Sequence, residues 1–353
     1  MYPFRVFISY SHADSPLADR IRFHIAQLGA SPMADVEFVP GVSFTDEIMD
    51  RIAHAHVFVP ILTESASQRL WVHQEIGYAM GSRVPILPLA VGSLPEGLVE
   101  KLHALTLSPD LSDLETRFTS RRFDDVIRRG RNEVGPVYEA AGSADQRTDL
   151  LVRYSQGALR YGHGRVKQMS AFTSFSIPDQ RHTSTIWDDR EGPTRHSEHV
   201  RRQLRQERQL LEQHARQKGC DLIIKPGVRA LNCGPKGTLT RLQLLREFLA
   251  SMSDELCNVA IHHDPLHGNL TIVDDWFVAD AVVPYGGVGY LKTMFTRHAP
   301  TVLDHVAEFD QLMKDLLAET PLDGRSSRLV AIEQLDREIE SLFSEKRREL
   351  SLD

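Results

Sequence analysis

Cysteine is scarce in this sequence, with three cysteines among 353 residues. Cys220, Cys233 and Cys257 lie far apart, form no CxxC pair and are odd in number. This usage is typical of reduced thiols, and it predicts a cytoplasmic protein without a disulfide framework.

Long apolar runs are missing as well. No stretch approaches the roughly 18 consecutive apolar residues that a membrane-spanning helix needs. The first residues, MYPFRVFISYS, lack the basic start and the long apolar core of a signal peptide, and they are typical of a strand. We therefore expect no membrane partner.

Positive charge is not in excess, since the formal net charge is -7 at pH 7. This balance gives no general electrostatic reason to bind nucleic acid, which is not favoured as a partner. With 41% hydrophobic and 25% charged residues the composition is that of a globular protein. The length favours two domains.

Strand-like and helix-like segments alternate over residues 1–130. The strand-like segments are apolar throughout, which favours a parallel sheet with helices on both faces and an α/β fold. Ligands of such sheets bind at the carboxyl ends of the strands. The expected strands are 5–11, 35–39, 56–62 and 84–92, and the expected helices are 15–29, 43–55 and 70–81.

The pattern changes after residue 130. We expect a linker over 131–165, a second α/β domain over 166–325 and a C-terminal amphipathic helix over 326–353. One apolar stripe of that helix, formed by Ile332, Leu335, Ile339 and Leu342, predicts that it caps the second domain or pairs with another subunit.

Four segments of the first domain stand in a recognisable order and spacing. They are VFISYSHADS, PGVSFTDEI, WVHQEIGYA and VPILPLAVG. Together they resemble the Toll/interleukin-1 receptor (TIR) domain family. The resemblance implies a flavodoxin-like fold with a parallel sheet, and it implies an enzyme that cleaves NAD+ between nicotinamide and ribose. NAD+ is then a substrate, and no cofactor is expected.

The resemblance also assigns roles to individual residues. The family's catalytic glutamate lies in a W-x-x-x-E arrangement, which makes Glu75 the catalytic candidate and places Trp71 beside the substrate. Tyr10, Ser11 and His12 lie in the loop where the family binds part of the dinucleotide. Some members have arginines there, and this chain has Ser11 and His12 instead.

A second loop of the family covers the site and contacts a neighbouring TIR domain. Pro40 and Phe44 belong to it here, and the resemblance implies self-association through TIR domains. The site would then be completed only when domains stack.

The chemistry is consistent with a single carboxylate at position 75. Departure of nicotinamide neutralises its pyridinium nitrogen, so the leaving group needs no proton, and the ribose develops positive charge. A carboxylate in a dry cleft stabilises that charge and fixes the sugar through hydrogen bonds. A tryptophan one helical turn earlier lies on the same face and excludes water.

Three alternatives stay open for the first domain. In the first alternative, Glu75 is a solvated helix charge, and the TIR domain is a scaffold that recruits partners and catalyses no reaction. Trp71 is a core residue rather than a substrate contact. The product is a cyclic ADP-ribose messenger rather than linear ADP-ribose.

The segment HGNLTIVDDWF of the second domain has the spacing of the phospholipase D superfamily motif, H-x-K-x-x-x-x-D. Here His267, Asn269 and Asp274 occupy its positions, and asparagine replaces the lysine. Without that cation a phosphodiesterase is not expected. A ligand pocket is one interpretation, and chance placement around a buried strand is the other. The neighbouring histidines indicate no metal site, since no further ligand lies at the required spacing.

These observations favour a bacterial immune effector of two parts. An unknown ligand or protein binds the second domain, the subunits assemble, and the TIR domain hydrolyses NAD+ in defence against phage.

Overall fold

A computed structural model of the chain describes residues 4–33, 44–67, 70–92, 104–133, 136–178, 197–226, 234–263, 268–282 and 292–350. The chain divides into two units. The first comprises Met1–Val137 with Arg297–Pro300, and the second comprises Tyr138–Thr296 with Thr301–Asp353. In the described ranges, none of the helices has the length and hydrophobicity needed to cross a bilayer.

The first unit contains a five-stranded sheet in which every strand pair is parallel, in the order β2-β1-β3-β4-β5. This confirms the α/β fold expected from the sequence, with the strand order of flavodoxin-like proteins. Its elements are β1 (Phe4–Ser9), α1 (Ser15–Gln27), β2 (Ala30–Met33), α2 (Phe44–Ala53), β3 (Val57–Leu62), α3 (Glu64–Ser67), α4 (Leu70–Gly81), β4 (Leu89–Val91), β5 (Leu105–Leu107), α5 (Leu114–Arg117) and α6 (Ser120–Glu133).

Apolar residues cover both faces of this sheet, which explains its parallel arrangement. On one face Val6 and Ile8 of β1 pack with Ile21 and Ile25 of α1. On the other face β1 and β3 pack against α2 and α4 through a second cluster, which includes Phe7, Ile48, Phe58, Val72 and Ile76.

The direction in which strands are added reverses between β1 and β3. Since β2 lies on one side of β1 and β3 lies on the other, the strand order reverses between β1 and β3, and the carboxyl ends of such a strand pair are where sheets of this type have their ligand-binding crevice. The sheet begins with Ala30–Met33 as its edge strand, which tolerates a proline. The strand expected at 35–39 lies outside the described residues.

The second unit contains a seven-stranded mixed sheet in the order β6-β12-β11-β10-β7-β8-β9. Only the pairs β7–β8 and β8–β9 are parallel. Its elements are β6 (Tyr138–Ala141), α7 (Ala144–Tyr161), β7 (Val166–Ser170), α8 (Glu198–Lys218), β8 (Cys220–Ile224), α9 (Gly234–Ala250), β9 (Cys257–Ile261), β10 (Leu270–Val273), β11 (Phe277–Val282), β12 (Lys292–Thr296), α10 (Ala299–Glu319) and α11 (Ser327–Leu350).

The segment expected to be a linker, 131–165, contains β6 and α7. Both belong to the second unit, because β6 pairs with β12 and α7 buries Leu151, Tyr154 and Ala158 in its core. The C-terminal helix is α11. Its apolar stripe packs on the core of the same unit, with Ala331, Ile332 and Leu335 buried and Ile339 and Leu342 partly buried.

Candidate active site

Glu75 lies on the buried face of α4. The residues of this helix that are shielded from solvent are Val72, Glu75, Ile76 and Ala79, which follow the spacing of a core-facing stripe. Glu75 is a charged residue among apolar neighbours on this stripe, and it is only 4% exposed. A carboxylate at such a position costs stability unless other groups compensate it, so it is no ordinary solvated charge.

Ser9 contacts this carboxylate from the sheet. It is the last residue of β1, it is fully buried, and its Oγ donates a hydrogen bond to Oε2 of Glu75. The bond offsets part of the cost of removing the carboxylate from water. It also places Glu75 at the carboxyl end of β1, beside the crevice where the strand order reverses.

Trp71 lies one helical turn before Glu75, as the sequence pattern required. Its side chain is partly buried and packs against the apolar cluster between the sheet and α4. Core packing therefore accounts for part of its surface. The remaining exposed part is the surface through which a substrate contact would be made.

The three candidate residues in the loop after β1 differ in their burial and contacts. Tyr10 is half-buried and packs against the apolar cluster on the α1 side of the sheet. His12 is exposed and begins a short 3₁₀ turn, His12–Asp14. Ser11 is only 5% exposed, and its Oγ has no hydrogen-bond partner among the described residues. A buried hydroxyl without a hydrogen-bond partner is available to form a hydrogen bond with a bound ligand.

A carboxylate that the sequence analysis did not single out holds this loop in place. Oδ2 of Asp14 accepts hydrogen bonds from Oγ1 of Thr63 at 2.7 Å and from Oγ of Ser65 at 2.8 Å. Thr63 follows β3 directly, and its Oγ1 also accepts from the backbone N–H of Ala66. The loops that border the crevice are thereby joined. In the sequence, the contact of Asp14 with Thr63 and Ser65 was indicated only by the polar residues that follow β1 and β3.

The loop expected to cover the site is only partly described. Pro40 lies outside the described residues. Phe44 is the first residue of α2, and the described part of the chain does not include its side chain. The roles that the resemblance implies for these two residues stay predictions.

Two of the three candidate residues of the second unit, Asn269 and Asp274, flank strand β10. His267 lies outside the described residues. Asn269 precedes β10, where its Oδ1 accepts from the N–H of Ala171 at 3.3 Å. Asp274 follows β10 in a left-handed conformation, with φ of 56°, and its Oδ2 accepts from the N–H of His163 at 2.7 Å. Five residues of extended chain separate Asn269 from Asp274 by on the order of 15 Å.

The first unit thus presents a buried carboxylate, a serine that orients it and an unpartnered hydroxyl at the carboxyl ends of β1 and β3. Such a site supplies fixed negative charge to a developing cation in a place shielded from water. Across the described ranges, no group of three or more His, Cys, Asp and Glu side chains is arranged to hold a metal ion.

Comparison with known proteins identifies the family of the first unit. Residues 6–121 match the family model described as TIR domain. A curated relative, "NAD(+) hydrolase sarm1" of Drosophila melanogaster, is 33% identical over 115 residues, which cover 28% of this chain and 8% of that protein. The chain therefore spans less than a tenth of the length of this relative.

A solved structure, "Structure of the activated Roq1 resistosome directly recognizing the pathogen effector XopQ (TIR domains)", shows a slighter likeness. It shares 14% identity, covers 37% of this chain and 86% of its own, and has a TM-score of 0.25, which is too low to support an argument. The family match over the parallel sheet is the stronger result. Residues 6–121 of this chain form a TIR domain.

Proposed function

We propose that the TIR domain hydrolyses NAD+ at the bond between nicotinamide and ribose, with Glu75 as the catalytic residue. The observation that carries this proposal is the burial of the Glu75 carboxylate against the Ser9 hydroxyl, beside the crevice at the carboxyl ends of β1 and β3. A carboxylate on the apolar stripe of α4 costs stability, as is common for residues that are retained for chemistry.

In the proposed reaction the carbon–nitrogen bond breaks while positive charge develops on the ribose. The carboxylate of Glu75 stabilises this charge, and Ser9 fixes the orientation of the carboxylate. Nicotinamide leaves as a neutral molecule, so no general acid is required. Water then attacks the anomeric carbon and loses a proton, which the Glu75 carboxylate accepts and passes to solvent, and the product is ADP-ribose. The buried hydroxyl of Ser11 is a candidate contact for the dinucleotide.

The relative with the printed name "NAD(+) hydrolase sarm1" supports the same chemistry over the region that aligns. Since the alignment covers 8% of that protein, the support concerns the TIR domain alone. The wider role that we propose is defence against phage in bacteria. In it a trigger binds the second unit, TIR domains associate, and the loop containing Pro40 and Phe44 contacts a neighbouring domain.

The test is release of free nicotinamide from NAD+ by the purified full chain, compared with a Glu75→Ala variant. We expect release by the wild type and its loss in the variant. Glu115→Ala is the matched control, because Glu115 is an exposed glutamate on α5 of the same domain. Release by Glu75→Ala at the wild-type rate would contradict the proposal.

Two further measurements separate the alternatives. Chromatography of the product distinguishes linear ADP-ribose from a cyclic messenger. A phage challenge of bacteria that express the wild type or Glu75→Ala tests the defence role, which requires protection by the wild type alone. Protection by both versions would favour a scaffold without chemistry.

A further inference from the structure

A pocket opens in the second unit between its sheet and the helices α7 and α8. Strands β7 and β10 form its floor, where Val166 and Gln168 line it together with Thr271 and Val273. The two strands pair in antiparallel, with Gln168 opposite Thr271 and Val166 opposite Val273. The floor therefore has a polar end and an apolar end. The pocket measures about 330 Å³ with its mouth included, so its occupant is a small molecule.

Two residues of α8 that line the pocket lie towards opposite ends of this floor. Nε2 of His214 lies 2.9 Å from the carbonyl oxygen of Gly164, just before β7, which places His214 at the apolar end. Glu207 comes two helical turns earlier, on the order of 10 Å away along the helix axis. Because Gly219, directly after α8, accepts from the N–H of Val166 at the start of β7, the helix runs back along that strand. Glu207 therefore lies towards the polar end.

The carboxylate of Glu207 has capacity for a further partner. The residue is only 7% exposed, and its Oε2 accepts from Nη1 of Arg147 at 3.1 Å. Within the described ranges, Oε1 forms no hydrogen bond, and neither does the hydroxyl of Thr271 on the floor of the pocket. A carboxylate oxygen and a hydroxyl oxygen are thus available at the polar end to accept from a ligand.

The pocket offers acceptors and negative charge. Among the described side chains that line it, Glu207 is the only one from Asp, Glu, Lys and Arg. The ring proton of His214 lies on Nε2, because the carbonyl of Gly164 can only accept, and Nδ1 is left as an acceptor. Burial lowers the pKa of His214 below its usual 6.5, so the ring is neutral at neutral pH. A ligand of this pocket must therefore donate hydrogen bonds.

An ammonium group is the donor that best suits a carboxylate in a confined site, because the opposite charge offsets the cost of burying the carboxylate. Next to Glu207 the pocket is lined by apolar side chains, among them Leu211 and Val166, which suit a hydrocarbon chain. We propose that this pocket binds a short aliphatic amine, with its ammonium group donating to Glu207 and Thr271 and its chain directed towards His214.

This binding is separate from the cleavage of NAD+, because every residue that carries it belongs to the second unit. It does not rest on the proposed function. Binding is measured on the full chain in the absence of NAD+, so its outcome is independent of nicotinamide release.

The test uses n-butylamine as the probe, with n-butanol and butyrate as molecules of similar size that carry no charge and a negative charge. Ligand-observed NMR titration of the full chain gives a Kd for each. We expect n-butylamine to bind at least about tenfold more tightly than n-butanol, and butyrate not to bind, because the hydrogen bonds of a charged donor to a carboxylate are the stronger ones. Absence of n-butylamine binding would overturn the proposal, and so would equal affinity for n-butanol.

Glu207→Gln is the variant that locates the binding, because the amide keeps the size of the side chain and an acceptor but removes the negative charge. We expect the affinity for n-butylamine to fall at least about tenfold. Glu198→Gln is the matched control, because Glu198 is an exposed glutamate of the same helix that also pairs with an arginine, Arg201, at 3.1 Å. Unchanged affinity in Glu207→Gln would overturn the proposal.

Two further variants separate binding from folding. Arg147→Met breaks the same ion pair but keeps the carboxylate, so the affinity for n-butylamine should stay unchanged or rise. Thr271→Val removes a hydroxyl without a hydrogen bond in the described ranges, so the Tm should not fall, while the affinity falls about 3- to 10-fold. If Arg147→Met weakens binding as much as Glu207→Gln does, the effect belongs to the ion pair and the proposal is wrong. Full affinity in Thr271→Val would contradict the assigned contact.

Discussion

Ser9 and Glu75 are 66 positions apart in the chain, yet the hydroxyl of the first donates a hydrogen bond to the carboxylate of the second. Ser9 ends strand β1, and Glu75 lies on the buried stripe of α4. The pair joins the carboxyl edge of the parallel sheet to the helix that packs on it. The proposed reaction would take place at this contact.

Ser9→Ala removes the hydrogen bond while leaving the Glu75 carboxylate in place. We expect kcat for NAD+ cleavage to fall roughly 10- to 100-fold, because a hydrogen bond to a charged group contributes about 1.5–3 kcal/mol. KM should change little, since Ser9 orients the carboxylate rather than the substrate. Ser112→Ala is the control, because Oγ of Ser112 donates a hydrogen bond of 2.8 Å to Oδ1 of Asp110 at an exposed site. An unchanged kcat in Ser9→Ala would contradict the positioning role.

Asp14→Asn weakens the contact that joins the loops after β1 and β3. The loop containing Ser11 should become more mobile, so that KM for NAD+ rises roughly 3- to 10-fold with a smaller change in kcat. Hydrogen exchange of residues 10–15 reports the loosening directly. Asp19→Asn is the matched control, because Asp19 pairs with Arg22 at 2.6 Å on the exposed surface of α1. Equal exchange in the two variants would argue against this role of Asp14.

His214 makes the stability of the second unit depend on pH. Burial lowers the pKa of this imidazole below its usual 6.5, the nearby Lys218 acts in the same direction, and the hydrogen bond to Gly164 O and the charge of Asp274 oppose it. In the unfolded chain the group binds a proton near pH 6.5, whereas the folded protein resists protonation until a lower pH. The stability contribution is therefore complete above pH 6.5 and is lost as the pH falls towards the folded pKa.

The measurement is urea unfolding of the wild type and His214→Gln from about pH 7 to about pH 5. The wild type should lose more free energy of unfolding over this interval than the variant, whose amide does not titrate and still donates to Gly164. His199→Gln is the control, because His199 lies on α8 with a half-exposed side chain that pairs with Asp149. An identical loss in wild type and His214→Gln would exclude His214 as the cause.

Cys220 and Cys257 should be inert in the folded protein. They face each other on β8 and β9 with their sulfur atoms 3.6 Å apart, and both are buried free thiols. Their mutual hydrogen bond and burial raise the pKa of Cys220 well above its usual 9.0. Since the thiolate is the reactive form, iodoacetamide should modify these two residues only after unfolding. Rapid native alkylation seen by mass spectrometry would contradict this.

The sequence was sufficient to predict the parallel sheet, because strands such as Val57–Leu62 are apolar throughout. The repeat of Val72, Ile76 and Ala79 was sufficient to predict α4, whereas the role of Glu75 on that helix was implied by the resemblance to the TIR family and stays a prediction. The contact partner of Glu75 was not predictable, because Ser9 approaches it only after β1 and α4 have packed together. The same holds for Asp14 and Thr63.

Strand β7 was missed for a different reason. Its sequence, VKQMS, is polar in two of its central positions, although every residue is buried. Lys167 tolerates burial because it forms ion pairs with Asp221 of β8 and Asp310 of α10. Because these ion pairs come from other elements, a search of the sequence for apolar runs does not detect β7. Strand β5 was not predicted because its three residues are too few to show the two-residue periodicity of a strand.

The most direct measurement is the rate of nicotinamide release by Glu75→Gln, determined together with its Tm. The amide keeps the size of the side chain and an acceptor for Ser9, but it removes the negative charge. We predict that release falls by at least about a hundredfold, while the Tm stays unchanged or rises, because burying a charge costs stability. A folded Glu75→Gln variant that releases nicotinamide as fast as Glu115→Gln would contradict the account.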